Sequence, residues 1–503
     1  MTAPTTGGLA DRIAEVLAID PAADAIEFEG GWRTWGQLAG TAAQVARLVP
    51  RPGTEVGVVL RNRPGSIGII LGVLQAGGCV VAINPGRGVD RTRDDVAALD
   101  LPLIAGQPDD LAALVPAGAR TTTVAVADLG QPVAVAPGSG TAADAGADAE
   151  AGRPGIAVRM LTSGTTGPPK RIDLGYETFE QVLVGAKHYE SKGATTERRL
   201  RRGVAVVNSP LTHLGGLFRV LLCVTDGRPM ALLERFTVDG WVELVRRHRP
   251  ATATLVPAAL RMVLEADLDP DDLSSIRSVI CGTAPLDPDD ADAFLRRFGA
   301  PVLISYAATE FGGPVAGWNV KDHQAFWATK RGSVGRAHPG CELQIVDPDT
   351  GAVLATDLEG VLEVKAPQIA DQGWVRTTDL ARIDADGFLW ILGRADHAII
   401  RGGFKILPDD IRLALERHPA VRGAAIIARA DPRLGAVPVA VVELRAGVDP
   451  VSPEDLTASI STDLARYELP AEIHLVDELP RTDAGKVDVG AVTARFGEPV
   501  REG

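Results

Sequence analysis

Leu161 to Arg171 read LTSGTTGPPKR, directly after the apolar run Ile156 to Leu161. A strand-like run thus opens into short hydroxyls (Thr162, Ser163, Thr165, Thr166), glycines (Gly164, Gly167) and a lysine, Lys170. Glycine lets the backbone approach a ligand, the hydroxyls donate hydrogen bonds, and Lys170 adds a point charge, so the stretch suits a polyphosphate. Taken alone, the same composition fits an ordinary exposed loop. Nor is it the common phosphate loop, which needs Gly-Lys-Ser/Thr opening a helix, whereas Pro168 and Pro169 stand before Lys170.

Working outward, apolar runs alternate with amphipathic stretches. Glu55 to Leu60, Val204 to Val207, Thr252 to Leu255 and Ser278 to Cys281 read as strands; Val238 to Arg247 and Pro288 to Phe298 read as helices. That alternation predicts an α/β fold with parallel sheets. Ile67 to Ile83 is apolar except for Gln75 and imitates a membrane span. Gly77-Gly78 divides it into a helix, Ser66 to Gln75, and a strand, Cys79 to Ile83, each far short of the roughly twenty residues a bilayer needs. Ala112 to Pro154 is Ala/Gly/Pro-rich, which predicts a loose surface connection around Gly138 to Gly155. The last hundred or so residues read as a separate α+β module, with a strand at His397 to Ile400, a Gly-Gly turn, a helix from near Pro408, strands at Gly423 to Ala428 and Val437 to Leu444, and a helix from Pro453 to Tyr467.

At 503 residues the chain is too long for one core and implies about three or four compact units. Its 65 acidic and 51 basic residues give a net charge of -14, which argues against a nucleic-acid surface or an anionic membrane. A polyphosphate is itself an anion, so Lys170, Arg394 and Lys486 are expected to supply local positive field inside an acidic whole. The four cysteines, at 79, 223, 281 and 341, have no metal-ligand spacing and read as reduced core thiols. The N-terminus lacks a basic start followed by an apolar stretch, which makes the cytoplasm the expected compartment.

Further motifs follow in order. Ser305-Tyr306-Ala307-Ala308-Thr309-Glu310 ends the apolar run Val302 to Ile304 and sets an aromatic ring four residues before a carboxylate. The ring can stack on a base, and Glu310 can hold a magnesium ion shared with phosphates. Trp374-Val375-Arg376-Thr377-Thr378-Asp379 comes next, then Gly393-Arg394-Ala395-Asp396 and Arg401-Gly402-Gly403-Phe404-Lys405-Ile406. Asp379 can accept from both ribose hydroxyls. Pro480-Arg481-Thr482-Asp483-Ala484-Gly485-Lys486 offers a lysine on a tight turn.

The ordered set resembles the adenylate-forming superfamily, which includes acyl-CoA synthetases, peptide-synthetase adenylation domains and firefly luciferase. The likeness runs from Trp35-Gly36-Gln37-Leu38 through Leu74-Gln75-Ala76-Gly77-Gly78 to Lys486. It implies a large N-terminal AMP-binding domain, 1–395, of doubly wound subdomains plus a small β-barrel, and a small mobile C-terminal domain, 396–503, hinged near Asp396. It also implies ATP-dependent activation of a carboxylic acid as acyl-adenylate with release of pyrophosphate. Thr162, Ser163, Gly164, Thr165, Thr166, Gly167 and Lys170 would hold the β- and γ-phosphates; Thr309 and Glu310 would serve the α-phosphate and Mg2+. Tyr306 and the turn Gly282-Thr283-Ala284 would flank adenine, Asp379 and Arg394 would hold ribose, and Lys486 would bridge the substrate carboxylate and the α-phosphate.

Pro210-Leu211-Thr212-His213-Leu214-Gly215-Gly216 resembles the segment that lines the acyl pocket in that family, with His213 as a gate or else as a structural histidine. No aspartate stands in Val207 to Gly216 to pair an α-amino group, which favours a simple carboxylic acid. The chain ends seventeen residues after Lys486 without a carrier-attachment site, so a stand-alone ligase is expected. Gly402-Gly403 looks like the glycine turn along which a pantetheine arm slides, which makes CoA the leading acceptor. Departures from the pattern, Thr378 for glycine, Ala307-Ala308 after the tyrosine and Asp409-Asp410 for glutamate, leave an amine (amide bond synthesis) or a free carrier protein open. A nucleotide-binding regulator without turnover is the non-enzymatic alternative; binding alone would not require Lys486.

Overall fold

The computed structural model describes residues 7–116, 119–138, 152–162, 170–186, 199–369, 373–401, 404–482 and 485–497. They gather into two compact units, one within 1–163, 169–325 and 366–371, the other within 326–365 and 372–503.

In the first unit a seven-stranded sheet runs in the order Ala134–Ala136, Thr122–Ala125, Leu103–Gly106, Glu55–Val59, Cys79–Ile83, Ile156–Thr162, Lys170–Gly175. Its inner pairs are parallel and its outermost pairs antiparallel. Strands buried on both faces read as unbroken apolar runs, and every residue of Cys79–Ile83 is buried. The membrane-like segment is resolved by the helix Pro64–Gln75, buried from Pro64 through Leu74, which is why it is apolar all round. A Cβ at Gly72 would lie 2.5 Å from the Ala42 carbonyl, so glycine lets this helix press against the helix Trp35–Ala46. Gly77, at φ +68°, ends the helix and turns the chain into Cys79–Ile83. Among the described residues no helix is long and apolar enough to cross a membrane.

A second sheet pairs Ala205–Val207, Met230–Leu232, Asp24–Phe28 and Gly31–Thr34. A third carries Thr252–Leu255, Ser278–Gly282 and Val302–Ala308 in parallel, followed by Gly313–Gly317 antiparallel. Of the surface connection expected around Gly138 to Gly155, residues 139–151 lie outside the described set; the strands Thr122–Ala125 and Ala134–Ala136 precede it.

The second unit holds two sheets. Where the resemblance implies a small barrel stands a four-stranded antiparallel sheet, Glu342–Val346, Gly360–Lys365, Val375–Ile383 and Leu389–Arg394. The other sheet pairs Phe404–Ile406, Ile399–Arg401, Gly435–Leu444 and Val421–Asp431, and Glu472–Val476 runs parallel to Gly435–Leu444. Its core gathers Ile406, Ile411, Leu415, Val421, Val442 and Leu456. The boundary expected at Asp396 falls inside this unit, between Leu389–Arg394 and Ile399–Arg401.

Two expectations are corrected here. His397 closes a 3-10 turn, Ala395–His397, and the strand begins at Ile399. The helix from Pro453 stops at Ile460, not Tyr467. Its end is rich in hydroxyls that bond back to the chain: Ser459 Oγ donates to the Leu456 carbonyl at 2.7 Å and Ser461 Oγ to Ala458 at 2.7 Å. Such local bonds compete with helix propagation, and a periodicity count does not register them.

Asp410, in the first turn of the helix Pro408–Glu416, keeps an exposed edge yet is held up to about 6 by crowding that desolvates its carboxyl, then by the negative charges of Glu468, Asp409 and Glu359. A carboxyl whose folded-state pKa lies above its unfolded value adds stability that is complete below about pH 4 and lost as pH rises through about 6. Asp410→Asn is therefore expected to raise the melting temperature at pH 8 and leave it nearly unchanged at pH 4. Parallel melting curves at the two pH values check this; an equal shift at both would show a cause other than ionisation.

Candidate active site

In the first unit, the hydroxyl- and glycine-rich stretch joins two antiparallel neighbours, with Thr162 opposite Lys170 across the ladder. Ser163, Gly164, Thr165, Thr166 and Gly167 lie outside the described residues, and Lys170 is exposed at the head of its strand. The next residue, Arg171, is largely buried; it donates to the Ala82 carbonyl at 2.7 Å and pairs with Asp95 at 2.6 Å. This arginine fastens the returning strand to the end of Cys79–Ile83 and to the helix Val89–Leu99, a role the motif reading did not assign.

Ser278–Gly282 and Val302–Ala308 are adjacent parallel strands, with Gly282 beside Ser305. The turn Gly282-Thr283-Ala284 and the Tyr306 ring thus sit together at the carboxyl ends of neighbouring strands, where open α/β sheets bind ligands. A Cβ at Gly282 would lie 2.7 Å from the Ser305 carbonyl, so glycine is required there. Thr283 follows at φ +76°, an outlier for a β-branched residue, and such held strain clusters at ligand sites. The neighbouring Cys281 thiol is pushed up to about 12 by burial and is inert.

Beyond Tyr306, whose ring lies 6.0 Å from that of Phe311, the chain makes a one-turn 3-10 helix, Thr309–Phe311. It returns as Gly313–Gly317, with Ala308 opposite Gly313. Gly312 closes the turn at φ +69°, where a Cβ would meet Thr178 Cγ2 at 2.3 Å. Glu310 is exposed at this apex and Thr309 half-buried. Among the described residues no group of His, Cys, Asp or Glu side chains forms a metal cage. One exposed carboxylate fits Mg2+, which takes few protein ligands and completes its octahedron with phosphate oxygens and water.

Pro210 to Gly216 leads into the helix Leu214–Thr225, and half-buried His213 is its N-cap residue. The path is fixed by Asn62, a buried residue that motif reading missed. Its Nδ2 donates to the Ser209 carbonyl at 3.0 Å and to Leu233 at 3.1 Å, and its Oδ1 accepts from the Leu211 amide at 2.8 Å. Gly216 packs so closely that a Cβ would lie 2.2 Å from the Pro210 carbonyl. Asn62→Ala strands these groups, and we expect a loss of about 2 kcal/mol in stability. Its KM for the acid should rise while ATP affinity is kept; calorimetric ATP titration beside steady-state kinetics checks the split.

In the second unit, Asp379 faces Arg394 across adjacent antiparallel strands, both half-buried. Thr377 orients this rung: its hydroxyl donates to the Leu362 carbonyl at 2.8 Å and accepts from the Asp379 amide at 3.0 Å. Gly402 and Gly403 lie outside the described residues; the flanking strands Ile399–Arg401 and Phe404–Ile406 are antiparallel neighbours.

Lys486 sits at the end of a tight turn closed by Thr482 N–H to the Lys486 carbonyl at 2.7 Å and Gly485 N–H to the Thr482 carbonyl at 2.8 Å. Gly485 adopts φ +73° and Arg481 bridges to Val487. The approach to this turn is anchored by Glu443, fully buried on Gly435–Leu444. It accepts from the Leu479 amide at 3.0 Å, from Arg481 at 2.8 Å and from Arg422 at 2.9 Å. Burial holds the Lys486 ammonium pKa below the usual lysine range, although part of the side chain stays exposed.

Two family profiles match the chain in succession, and the first extends across 326–365 of the second unit. The profile of the AMP-binding enzyme family matches residues 13–372, and that of the AMP-binding enzyme C-terminal domain matches 413–486. The chain is 28% identical over 346 residues to 4-coumarate–CoA ligase 1 of Oryza sativa subsp. japonica, a match covering 65% of this chain. It spans about 60% of the length of that relative. Feruloyl-CoA synthase of Amycolatopsis sp is 28% identical over 500 residues, 95% of this chain and 97% of that one. The structure of the amide bond synthetase McbA from Marinactinospora thermotolerans matches with a TM-score of 0.77 at 26% identity, covering 98% of this chain and 100% of that one.

Proposed function

Because this chain belongs to the AMP-binding enzyme family, we propose that it activates a carboxylic acid with ATP and passes the acyl group to CoA. The acid's carboxylate oxygen attacks the α-phosphorus, the bond to the bridging oxygen breaks, and pyrophosphate leaves to give an acyl-adenylate. The CoA thiol then attacks the acyl carbon, losing its proton, and AMP leaves. The reading is carried by one arrangement: Gly282-Thr283-Ala284 and Tyr306 side by side at the ends of adjacent parallel strands, with Thr309 and Glu310 directly beyond.

Catalysis of the first step is positioning and charge stabilisation. Tyr306 and the strained turn flank adenine, and Asp379 accepts from the ribose hydroxyls with Arg394 beside it. Thr162, Ser163, Thr165, Thr166 and Lys170 hold the β- and γ-phosphates. Thr309 donates to the α-phosphate, and Glu310 holds Mg2+, which supplies electrostatic neutralisation of the phosphate oxygens. Lys486 places its charge between the carboxylate and the α-phosphate, and phosphate oxygens would draw its lowered pKa back up. For the second step, the C-terminal domain turns about a hinge near Asp396, Gly402-Gly403 admit the pantetheine arm, and His213 gates the acyl pocket.

A second reading, transfer to an amine, is favoured by the likeness to McbA over nearly the whole chain. ATP consumption and four free cysteines fit a reducing, cytoplasmic setting. ATP–pyrophosphate exchange across a panel of carboxylic acids tests activation; formation of ADP in place of AMP would reject it. Adding CoA, amines or a carrier protein to the same mixture and weighing the products chooses the acceptor.

A further inference from the structure

The helix Leu214–Thr225 begins at the segment assigned above to acyl recognition, and it carries an arginine that the reading does not use. Gly216, Leu217, Val220, Leu221 and Val224 are buried, while Arg219 is half-buried between that face and solvent. Its Nε is inaccessible to solvent and has no hydrogen-bond partner, and among the described residues no carboxylate pairs with it. Arginines of comparable depth in the same unit are paired: Arg33 with Asp128, Arg159 with Glu55, Arg171 with Asp95. The acidic residue at the end of this helix, Asp226, is already engaged by Arg12 and Arg201.

Two other orphans belong to the same stretch. Asn208 Oδ1 and Thr212 Oγ1 are buried side-chain atoms without a partner. A buried donor or acceptor left unmade is costly, and native proteins tolerate few of them, so a cluster of three within twelve residues points to a partner that arrives from outside. A guanidinium whose Nε–H is buried and unmet while its other end reaches toward solvent suits an anion that can bridge the two, best a carboxylate that its planar fork can grip. Arg219 stands five residues into the helix, roughly 8 Å along its axis from Leu214.

Resting on the carboxylate-activating reading, we propose that the substrate is a dicarboxylic acid. One carboxylate is activated, the other is held by Arg219, and Asn208 and Thr212 supply hydrogen bonds at the same pocket wall.

The test measures ATP–pyrophosphate exchange with matched acids, hexanoate beside adipate and benzoate beside terephthalate, for the wild type, Arg219→Met and Arg219→Lys. Calorimetric titration of the same acids into ATP-loaded protein is the second readout. The diacid-to-monoacid ratio of kcat/KM should exceed unity for at least one pair and fall about tenfold to a hundredfold in Arg219→Met, as expected for a lost charged hydrogen bond. Arg219→Lys should keep part of the preference, which a merely packing role would not predict. An unchanged ratio in Arg219→Met, or a wild type that prefers the monoacid in every pair, overturns the proposal. Absence of exchange with every acid defeats the activation reading instead. The titration then decides: diacid affinity lost in Arg219→Met supports the assignment, and diacid affinity unchanged overturns it.

Discussion

Lys486→Ala is expected to lose at least a hundredfold of ATP–pyrophosphate exchange while its ATP dissociation constant stays within a few-fold of the wild type. Removing one preorganised donor from an oxyanion site typically costs a factor of about a hundred to a thousand. Lys486 is a full charge held by a closed turn, so the upper end of that range is expected. Lys486→Arg should recover little, because a bulky planar guanidinium cannot replace a compact ammonium on a tight turn. Exchange kinetics beside calorimetric ATP titration measure both halves, and retained exchange in the alanine variant would remove Lys486 from the chemistry.

Glu443→Ala is expected to have the next largest effect, acting through the turn that carries Lys486. The substitution strips three donors of one acceptor: the Leu479 amide, Arg481 and Arg422. Arg422 is 44% exposed and can turn to water, whereas the Leu479 amide is buried and Arg481 is 29% exposed. A loss of about 2–3 kcal/mol follows for the unit that carries the turn. Because these bonds hold the approach to Lys486, exchange should fall at least tenfold even at a temperature where the variant is fully folded. Glu443→Gln keeps the shape and loses the charge, so it should fall between the two. A variant that melts earlier yet exchanges normally while folded would make Glu443 a stability residue only.

How much of this was legible in the sequence depended on whether the deciding signal was local. Pro288–Phe298 was read to the residue because every cue is adjacent: Asp287 accepts from the Asp289 amide as the cap, Pro288 opens the first turn, and Gly299 takes the left-handed position after the last. Thr252–Leu255 was read equally well, its apolar pattern bounded on both sides. Asp379 and Arg394 were named separately from motifs, and the antiparallel return of the chain brings them opposite each other. The helix from Pro453 was overextended because side-chain bonds, not periodicity, stop it.

Asn62 and Glu443 were not legible for a different reason. Asn62 reaches Ser209, 147 residues away, and nothing in the residues around Asn62 announces that. A glutamate near the end of an apolar strand reads as an exposed edge charge; only the fold reveals that Glu443 is buried and what it grips. The fold class was thus written in short local patterns, and the supports at Asn62 and Glu443 in long-range pairs.

The three backbone bonds made by Asn62 have one more consequence. Two of them, to the Ser209 carbonyl and from the Leu211 amide, fix the entry of Pro210 to Gly216 through main-chain groups, while Thr212 Oγ1 and the Arg219 Nε engage nothing else in the described protein. Selectivity and foldability are in that way written on separate atoms. A lineage, or an engineer, can exchange Thr212 or Arg219 to accommodate another acid without dismantling the frame, so diversification at this wall should be cheap and drift at Asn62 or Gly216 rare.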